Sequence, residues 1–146
     1  AREGDHVGEV HPVELSVVAQ KCWHHIATAE ATLVADVDIE VLADQSLLKQ
    51  LLENLMRNSV EHGGDDVTVT VGECEDGFYI ADDGSGISPE HRSDVFDLGY
   101  STANGSTGFG LSIAKQVADA HDWDIRLTED ATGGARFEIT GVERAM

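Results

Sequence analysis

A chain of 146 residues with 41% apolar residues and only two prolines can form one domain with a real core, and it is too apolar for a disordered tail. Its 28 acidic residues against 9 basic ones give a formal net charge of −19, spread along the chain, which argues against binding a nucleic-acid backbone or an anionic membrane. No apolar run reaches membrane-spanning length, no signal peptide is visible, and Cys22 and Cys74 sit in no CxxC or Cys/His cluster, so buried reduced thiols and a cytoplasmic setting are expected.

In chain order, residues 1–12 carry charges and no hydrophobic period, and they are expected to be a linker remnant from a missing upstream element. The domain is expected to span residues 13–146. Val13, Val17, Val18, Cys22, Trp23 and Ile26 have helical spacing over Val13 to Ala27. Two short strands, Thr32–Ala35 and Ile39–Leu42, are predicted to form a hairpin around an Asp-rich turn. Asp44 suits the N-cap of the next helix, whose apolar stripe is Leu48, Leu51, Leu52 and Leu55. Asn54, Asn58, Glu61 and His62 recur on an adjoining face, and Gly63-Gly64 ends the helix.

Val67 to Val71 alternates as a strand, and the turn at Asp76-Gly77 returns the chain into a second strand that ends at Asp82. A short helix is predicted from Pro89 to Phe96, followed by a polar loop from Leu98 to Thr107. Gly108-Phe109-Gly110-Leu111 opens another helix with Leu111, Ala114, Val117 and Ala118 on its apolar face. Two alternating strands close the chain, marked by Trp123, Ile125, Leu127 and by Ala135, Phe137, Ile139, with Gly133-Gly134 between them. This order predicts a two-layer α/β sandwich: a mixed, mostly antiparallel sheet covered on one face by about three helices.

Three stretches carry chemistry. Asp82-Asp83-Gly84-Ser85-Gly86-Ile87 places a carboxylate at a strand end before Gly-x-Gly, where the backbone can bend sharply and approach a flat ligand. The alternative is an N-capping Asp for the segment near Pro89. Asn54 and Asn58 lie mid-helix, where Asn has poor propensity. A neutral side-chain oxygen there can complete the shell of a Mg²⁺ ion already held by phosphates and water; the alternative is a pair of solvent-facing amides. Gly108-Phe109-Gly110-Leu111 puts glycines at a helix N-terminus, whose N–H groups and dipole suit a polyphosphate, although a flexible loop would read the same way.

Taken together, in this order and spacing, the stretches resemble the catalytic and ATP-binding domain of sensor histidine kinases, within the GHKL superfamily that includes DNA gyrase B, Hsp90 and MutL. Leu51 to His62 resembles the N box and Asp82 to Ile87 the G1 box. Val95 to Thr102 resembles the F box and Ser106 to Ile113 the G2 box. The resemblance covers about residues 14 to 142 and implies the Bergerat ATP-binding fold. The dispersed acids and the Thr107-Gly108-Phe109-Gly110-Leu111 wording resemble haloarchaeal proteins adapted to high intracellular salt.

The resemblance implies roles. Asp82 would meet the adenine amino group, with Gly84, Gly86 and Ile87 shaping the wall. Asn58 would ligate Mg²⁺ and Asn54 would support the metal or phosphates; Glu61 and His62 would lie beside the nucleotide. Residues 98–107, including Tyr100, Ser101, Thr102 and Thr107, would be the ATP lid, mobile without ligand. N–H groups of Gly108, Phe109, Gly110 and Leu111 would hold phosphates. Where the hydrolytic branch of the superfamily has a water-activating Glu, this chain has Asn54, which cannot take a proton. That favours phosphoryl transfer to a protein over hydrolysis.

Two departures from the family stand out. Glu61 occupies a position where many histidine kinases have Lys or Arg, and the lid from Gly99 to Thr107 has neither. Ser106 also replaces a common glycine, and Arg57 or Arg92 would have to help with phosphate charge. The family's acceptor is a His followed by an acidic residue on an upstream dimerising helical hairpin: His6 and His11 are not followed by one, and His121-Asp122 has the dipeptide but reads as a turn after a helix.

The expected function is to bind Mg-ATP and transfer its γ-phosphoryl to a histidine on a separate, upstream dimerisation and phosphoacceptor domain, with a response regulator as indirect partner. The setting would be cytoplasmic, whether or not the parent protein is membrane-associated. The alternatives are a catalytically silent nucleotide-binding scaffold, motivated by Glu61 and the uncharged lid, and a serine kinase of the anti-sigma type.

Overall fold

The chain enters through β1 (His11–Glu14), turns directly into α1 (Leu15–His25), and continues through β2 (Thr32–Val34), β3 (Glu40–Ala43) and α2 (Gln45–Gly63). It then forms β4 (Thr68–Cys74), β5 (Gly77–Asp82), α3 (Phe109–Ala120), β6 (Asp124–Glu129), β7 (Ala135–Thr140) and β8 (Arg144–Ala145). The computed structural model describes residues 10–26, 31–35, 37–63, 66–84, 109–129 and 134–145, with backbone alone for 61–63, 109–112, 129 and 144–145.

The main sheet has the order β2-β4-β5-β7-β6, and only the β2–β4 pair is parallel. This is the predicted mixed, mostly antiparallel sheet, with three helices among the described residues. A second sheet, β1-β3-β8, is antiparallel throughout. The predicted hairpin of the first two short strands does not exist. Leu33 pairs with Val69 of β4, whereas Val41 pairs with Val13 of β1. Both strands have the composition of short strands, but adjacency in sequence suggested a partner that the sheet does not use. β1 begins inside the stretch expected as a connection, and β8 was not foreseen in its two residues.

The core lies between the main sheet and the helices. Phe78 and Ile80 of β5 and Phe137 and Ile139 of β7 are fully buried at alternate positions, as a sheet with one covered face requires. Against them α2 supplies Leu48, Leu51, Leu52, Leu55 and Met56, all fully buried. Burying each such side chain contributes roughly 1.5–3 kcal/mol. That outweighs the few tenths that Asn54 and Asn58 cost the helix in propensity. On α1 the buried residues are Leu15, Val18, Ala19 and Cys22, while Val17 is exposed. The helix starts two residues later than the spacing suggested, because Val13 and Glu14 are held in β1.

Two of the helix ends are satisfied locally. Asp44 Oδ1 accepts the N–H of Leu47 at 3.2 Å, the predicted N-cap of α2. At the end of α3, Trp123 N–H reaches Ala118 O at 2.8 Å and Asp122 N–H reaches Asp119 O at 3.1 Å. Asp122 sits at φ 62°, so a Schellman turn closes the helix with Asp in the left-handed position usually given to Gly. His121-Asp122 is thus the turn read from the sequence.

Candidate functional site

The alternation of β5 decides where Asp82 lies. It follows Phe78 and Ile80 at the same two-residue interval, so it is on the covered face of the sheet. It is only 6% exposed. A carboxylate so buried needs donors. Oδ1 accepts the N–H of Gly84 at 2.9 Å and that of Ala135 at 3.4 Å. Oδ2 accepts no hydrogen bond among the described residues. Asp83, its neighbour, exchanges bonds with Thr68: Thr68 N–H donates to Asp83 Oδ1 at 2.8 Å, and Asp83 N–H donates to Thr68 O at 3.3 Å. That exchange prolongs the β4–β5 ladder beyond Asp82 and fixes where the chain leaves the sheet.

The register carries the other elements to the same end. Val69 pairs with Asp82, and α2 ends at Gly63, a few residues before β4 begins. The C-terminal turns of α2, with Asn58, therefore lie at the Asp82 end. Asp124, at the start of β6, pairs with Thr140, which pairs with Gly77, so α3 delivers its C-terminus to the far end. Asp44 N–H at the start of α2 donates to His121 Nε2 just beyond α3, at 3.1 Å. The two helices are therefore antiparallel neighbours, and the N-terminus of α3 shares the Asp82 end with the C-terminus of α2. The first N–H groups of a helix have no acceptor within it, and they carry partial positive charge.

Asn54 and Asn58 are half-buried, one turn apart on α2. Asn54 Nδ2 donates to Gln50 O at 2.6 Å, a bond back to the preceding turn that fixes the amide. Asn58 has no hydrogen-bond partner among the described residues, and Arg57 is exposed. Glu61 and His62 fall in the last turn of α2, and Phe109, Gly110 and Leu111 in the first turn of α3, where the backbone alone is described. Gly86, Ile87, Tyr100, Ser101, Thr102, Thr107 and Gly108 lie outside the described residues, as do the predicted helix near Pro89 and Arg92.

Two features escaped the sequence reading. Ser59, beside Asn58, turns inward, is 1% exposed, and its Oγ has no partner among the described residues. Gly133-Gly134 was read as a turn alone. In the structure a Cβ on Gly134 would run into the carbonyl oxygen of Asp82 and stand 3.0 Å from its Oδ1. A Gly-Gly pair after a strand gave no hint that β7 starts against a carboxylate some fifty residues earlier in the chain.

The described residues contain no cluster of three or more His, Cys, Asp or Glu able to hold a metal. Among the described residues, Asn58 on the last turns of α2 offers an amide oxygen at the Asp82 end of the sheet. That suits an ion whose remaining ligands are phosphates and water.

The model of the family described as histidine kinase-, DNA gyrase B- and HSP90-like ATPase matches residues 43–143. The chain belongs to this family. The heme sensor protein HssS of Staphylococcus saprophyticus is 28% identical over 148 residues, covering 94% of this chain and 32% of that protein. The sensor-like histidine kinase SenX3 of Mycobacterium tuberculosis is 32% identical over 130 residues, covering 80% of this chain and 32% of that one. The chain thus spans about a third of the length of these curated relatives. Among solved structures, the mycobacterial sensor histidine kinase MprB superposes with a TM-score of 0.76 at 25% identity, over 92% of this chain and 97% of that one. The fold is the ATP-binding fold of this family, and the relatives are bacterial. They offer no support for a haloarchaeal type.

Proposed function

We propose that this chain is the Mg-ATP-binding catalytic domain of a two-component sensor histidine kinase. In this reading the γ-phosphoryl goes to a histidine of an upstream dimerisation and phosphoacceptor domain, from which a response regulator is served. Residues 1–10 would belong to the connection, and the domain would begin at His11, where β1 pairs with β3. The observation that carries the reading is the buried Asp82 carboxylate. Both of its described hydrogen bonds fall on Oδ1, at the sheet end where α2 brings Asn58 and α3 brings its N-terminus.

Each group then has a physical task. Asp82 Oδ2 accepts a hydrogen bond from the exocyclic amino group of adenine, with Gly84, Gly86 and Ile87 against the ring. Backbone N–H groups from Gly108 to Leu111 hold the phosphates, and Tyr100, Ser101, Thr102 and Thr107 belong to a lid over them. Asn58 offers its amide oxygen to Mg²⁺, which when bound would neutralise phosphate charge. Asn54 braces the same site, with Glu61 and His62 in the next turn. In the transfer the bond from the γ-phosphorus to the β,γ-bridging oxygen breaks and a bond from an imidazole nitrogen forms, with ADP leaving. Asn54 cannot act as a base for water, so positioning and charge stabilisation would carry the rate.

A second reading, a catalytically silent nucleotide-binding module, is favoured by Glu61 and by the absence of Lys or Arg from Gly99 to Thr107. A serine kinase of the anti-sigma type is a third, distinguishable by its acceptor. No helix among the described residues is long and apolar enough to cross a membrane. A cytoplasmic location for this domain is part of the proposal, as is adaptation to high salt.

The deciding experiment is calorimetric titration with a non-hydrolysable ATP analogue in high KCl, with and without Mg²⁺, followed by incubation of ATP with a supplied phosphoacceptor hairpin. Magnesium-dependent binding, with phosphotransfer that Asn58→Ala abolishes, is expected. Binding without transfer to any His or Ser acceptor supports the silent module, and no binding at millimolar analogue removes the nucleotide reading.

A further inference from the structure

The start of β7 lies against the one carboxylate on which the nucleotide reading turns. Gly134 packs so closely on Asp82 that an added Cβ would collide with its carbonyl oxygen and stand 2.7 Å from its carbonyl carbon. Both are backbone atoms inside the sheet, so no side-chain rotation could relieve the contact. The next residue, Ala135, aims its N–H at Oδ1 from 3.4 Å, while Gly84 N–H reaches the same oxygen from the opposite stretch of chain at 2.9 Å.

Two donors on one oxygen fix the carboxylate's rotation. A carboxylate offers acceptor sites on both oxygens. With Oδ1 engaged from both sides, Oδ2 is the acceptor left for a ligand. We infer that Gly134 and Ala135 are positioning residues: together they set the rotamer of Asp82 and so give the site its preference for a purine that bears an exocyclic amino group. This rests on the nucleotide reading above and adds to it a selectivity device on a strand that the sequence motifs do not include.

Two substitutions separate the effect from bulk folding. Gly134→Ala adds the colliding Cβ. Ala135→Pro removes the N–H and puts the ring Cδ where that hydrogen pointed at Oδ1, leaving position 134 unchanged, and Pro is tolerated at the first residue of a strand. The readout is the ratio of dissociation constants for purine ribonucleoside triphosphate, which lacks the amino group, and a non-hydrolysable ATP analogue. Circular dichroism confirms that each variant is folded.

A wild-type preference of tenfold or more for the amino-bearing ligand is expected, falling to within about twofold of unity in Ala135→Pro and in any folded Gly134→Ala, while affinity for the amino-free ligand stays within about threefold. Loss of affinity for both ligands in parallel would mark Gly134 and Ala135 as merely structural and overturn the inference. So would an undiminished preference in folded Ala135→Pro. A wild type that binds both ligands equally would instead remove the amino-group contact of Asp82. One that binds neither would remove the nucleotide site itself.

Discussion

His121 bridges two helices through both ring nitrogens. Its Nε2 faces the backbone N–H of Asp44 at 3.1 Å and its Nδ1 faces Val117 O at 3.0 Å. An N–H only donates and a carbonyl only accepts, so the ring is neutral with its proton on Nδ1. It also stacks on Trp123, with centroids 4.1 Å apart and planes at 22°. His121 thereby ties the start of α2 to the end of α3, at the sheet end opposite Asp82.

His121→Ala removes an acceptor and a stacking partner together. A cost of about 1–3 kcal/mol is expected, because a part-buried N–H loses its side-chain partner. Urea unfolding should show it as a lower midpoint with an unchanged slope. Nucleotide affinity should not move, since this end of the helix pair is remote from Asp82. A parallel loss of affinity in the folded variant would show that the two ends are coupled.

These contacts also mark what the sequence made legible. Asp44 as a cap and His121-Asp122 as a turn follow from local chemistry, and both are present. Leu48 to Leu55 as a core stripe and Val69 and Val71 as a buried face follow from periodicity. The partners of β2 and β3 do not, because pairing across sequence distance leaves no local pattern: the residues of β2 fit a hairpin as well as the parallel edge they form. Asp82 and Asn58 could be singled out because each lies in a contiguous motif, and the structure brings both to one end of the sheet. The contribution of Gly134 and Ala135 was not legible, since it depends on β7 lying beside β5.

Asp82 is buried and hydrogen-bonded, so it serves the fold as well as the candidate site. Asp82→Ala would strip the N–H groups of Gly84 and Ala135 of their acceptor, at a cost of about 1–3 kcal/mol. Asp82→Asn can keep the Oδ1 acceptor while presenting an NH₂ where Oδ2 stood. We expect Asp82→Asn to hold its melting temperature far better than Asp82→Ala, and both to lose adenine-nucleotide binding by calorimetry. Full affinity in Asp82→Asn would mean that the carboxylate does not meet a donor.

Cys22 gives a signature at alkaline pH. It is fully buried on α1, its Sγ points at Lys49 O at 3.6 Å, and burial, with Glu53 nearby, pushes its thiol from 9.0 up to about 12. A raised folded value means that the thiol's contribution is intact below the unfolded value near 9. It is lost as pH rises from there towards 12, at about 1.4 kcal/mol per pH unit. Stability should therefore fall between pH 9 and 11 in the wild type and fall less in Cys22→Ala, relative to each protein's own value at pH 8. Ellman's reagent should also modify the half-buried Cys74 well before Cys22 in the folded protein. Equal reactivity of the two thiols would contradict the burial of Cys22.

The net charge of −19 makes salt a structural variable. Among the described residues, Lys115 pairs with Asp119 at 2.8 Å across a turn of α3, and Arg136 Nε with Glu138 at 2.8 Å. An exposed pair such as Lys115–Asp119 contributes about 0–1 kcal/mol, and nine basic residues cannot neutralise 28 acidic ones. Repulsion among the remaining carboxylates is weaker in the expanded unfolded chain than in the folded domain, so it opposes folding. Raising the ionic strength from 0.1 to 1 M shortens the screening length from about 10 Å to about 3 Å. The melting temperature should therefore climb with KCl over that range. Salt can also strengthen apolar burial, which would raise the melting temperature for another reason. The triple variant Asp66→Asn, Asp124→Asn, Glu143→Gln separates the two, because each position is exposed and each change removes one negative charge without touching the core. If screening dominates, the variant melts higher than the wild type in dilute buffer and gains less from KCl. If its gain from KCl equals that of the wild type, the acidic surface is not what the salt relieves, and the case for adaptation to high salt falls with it.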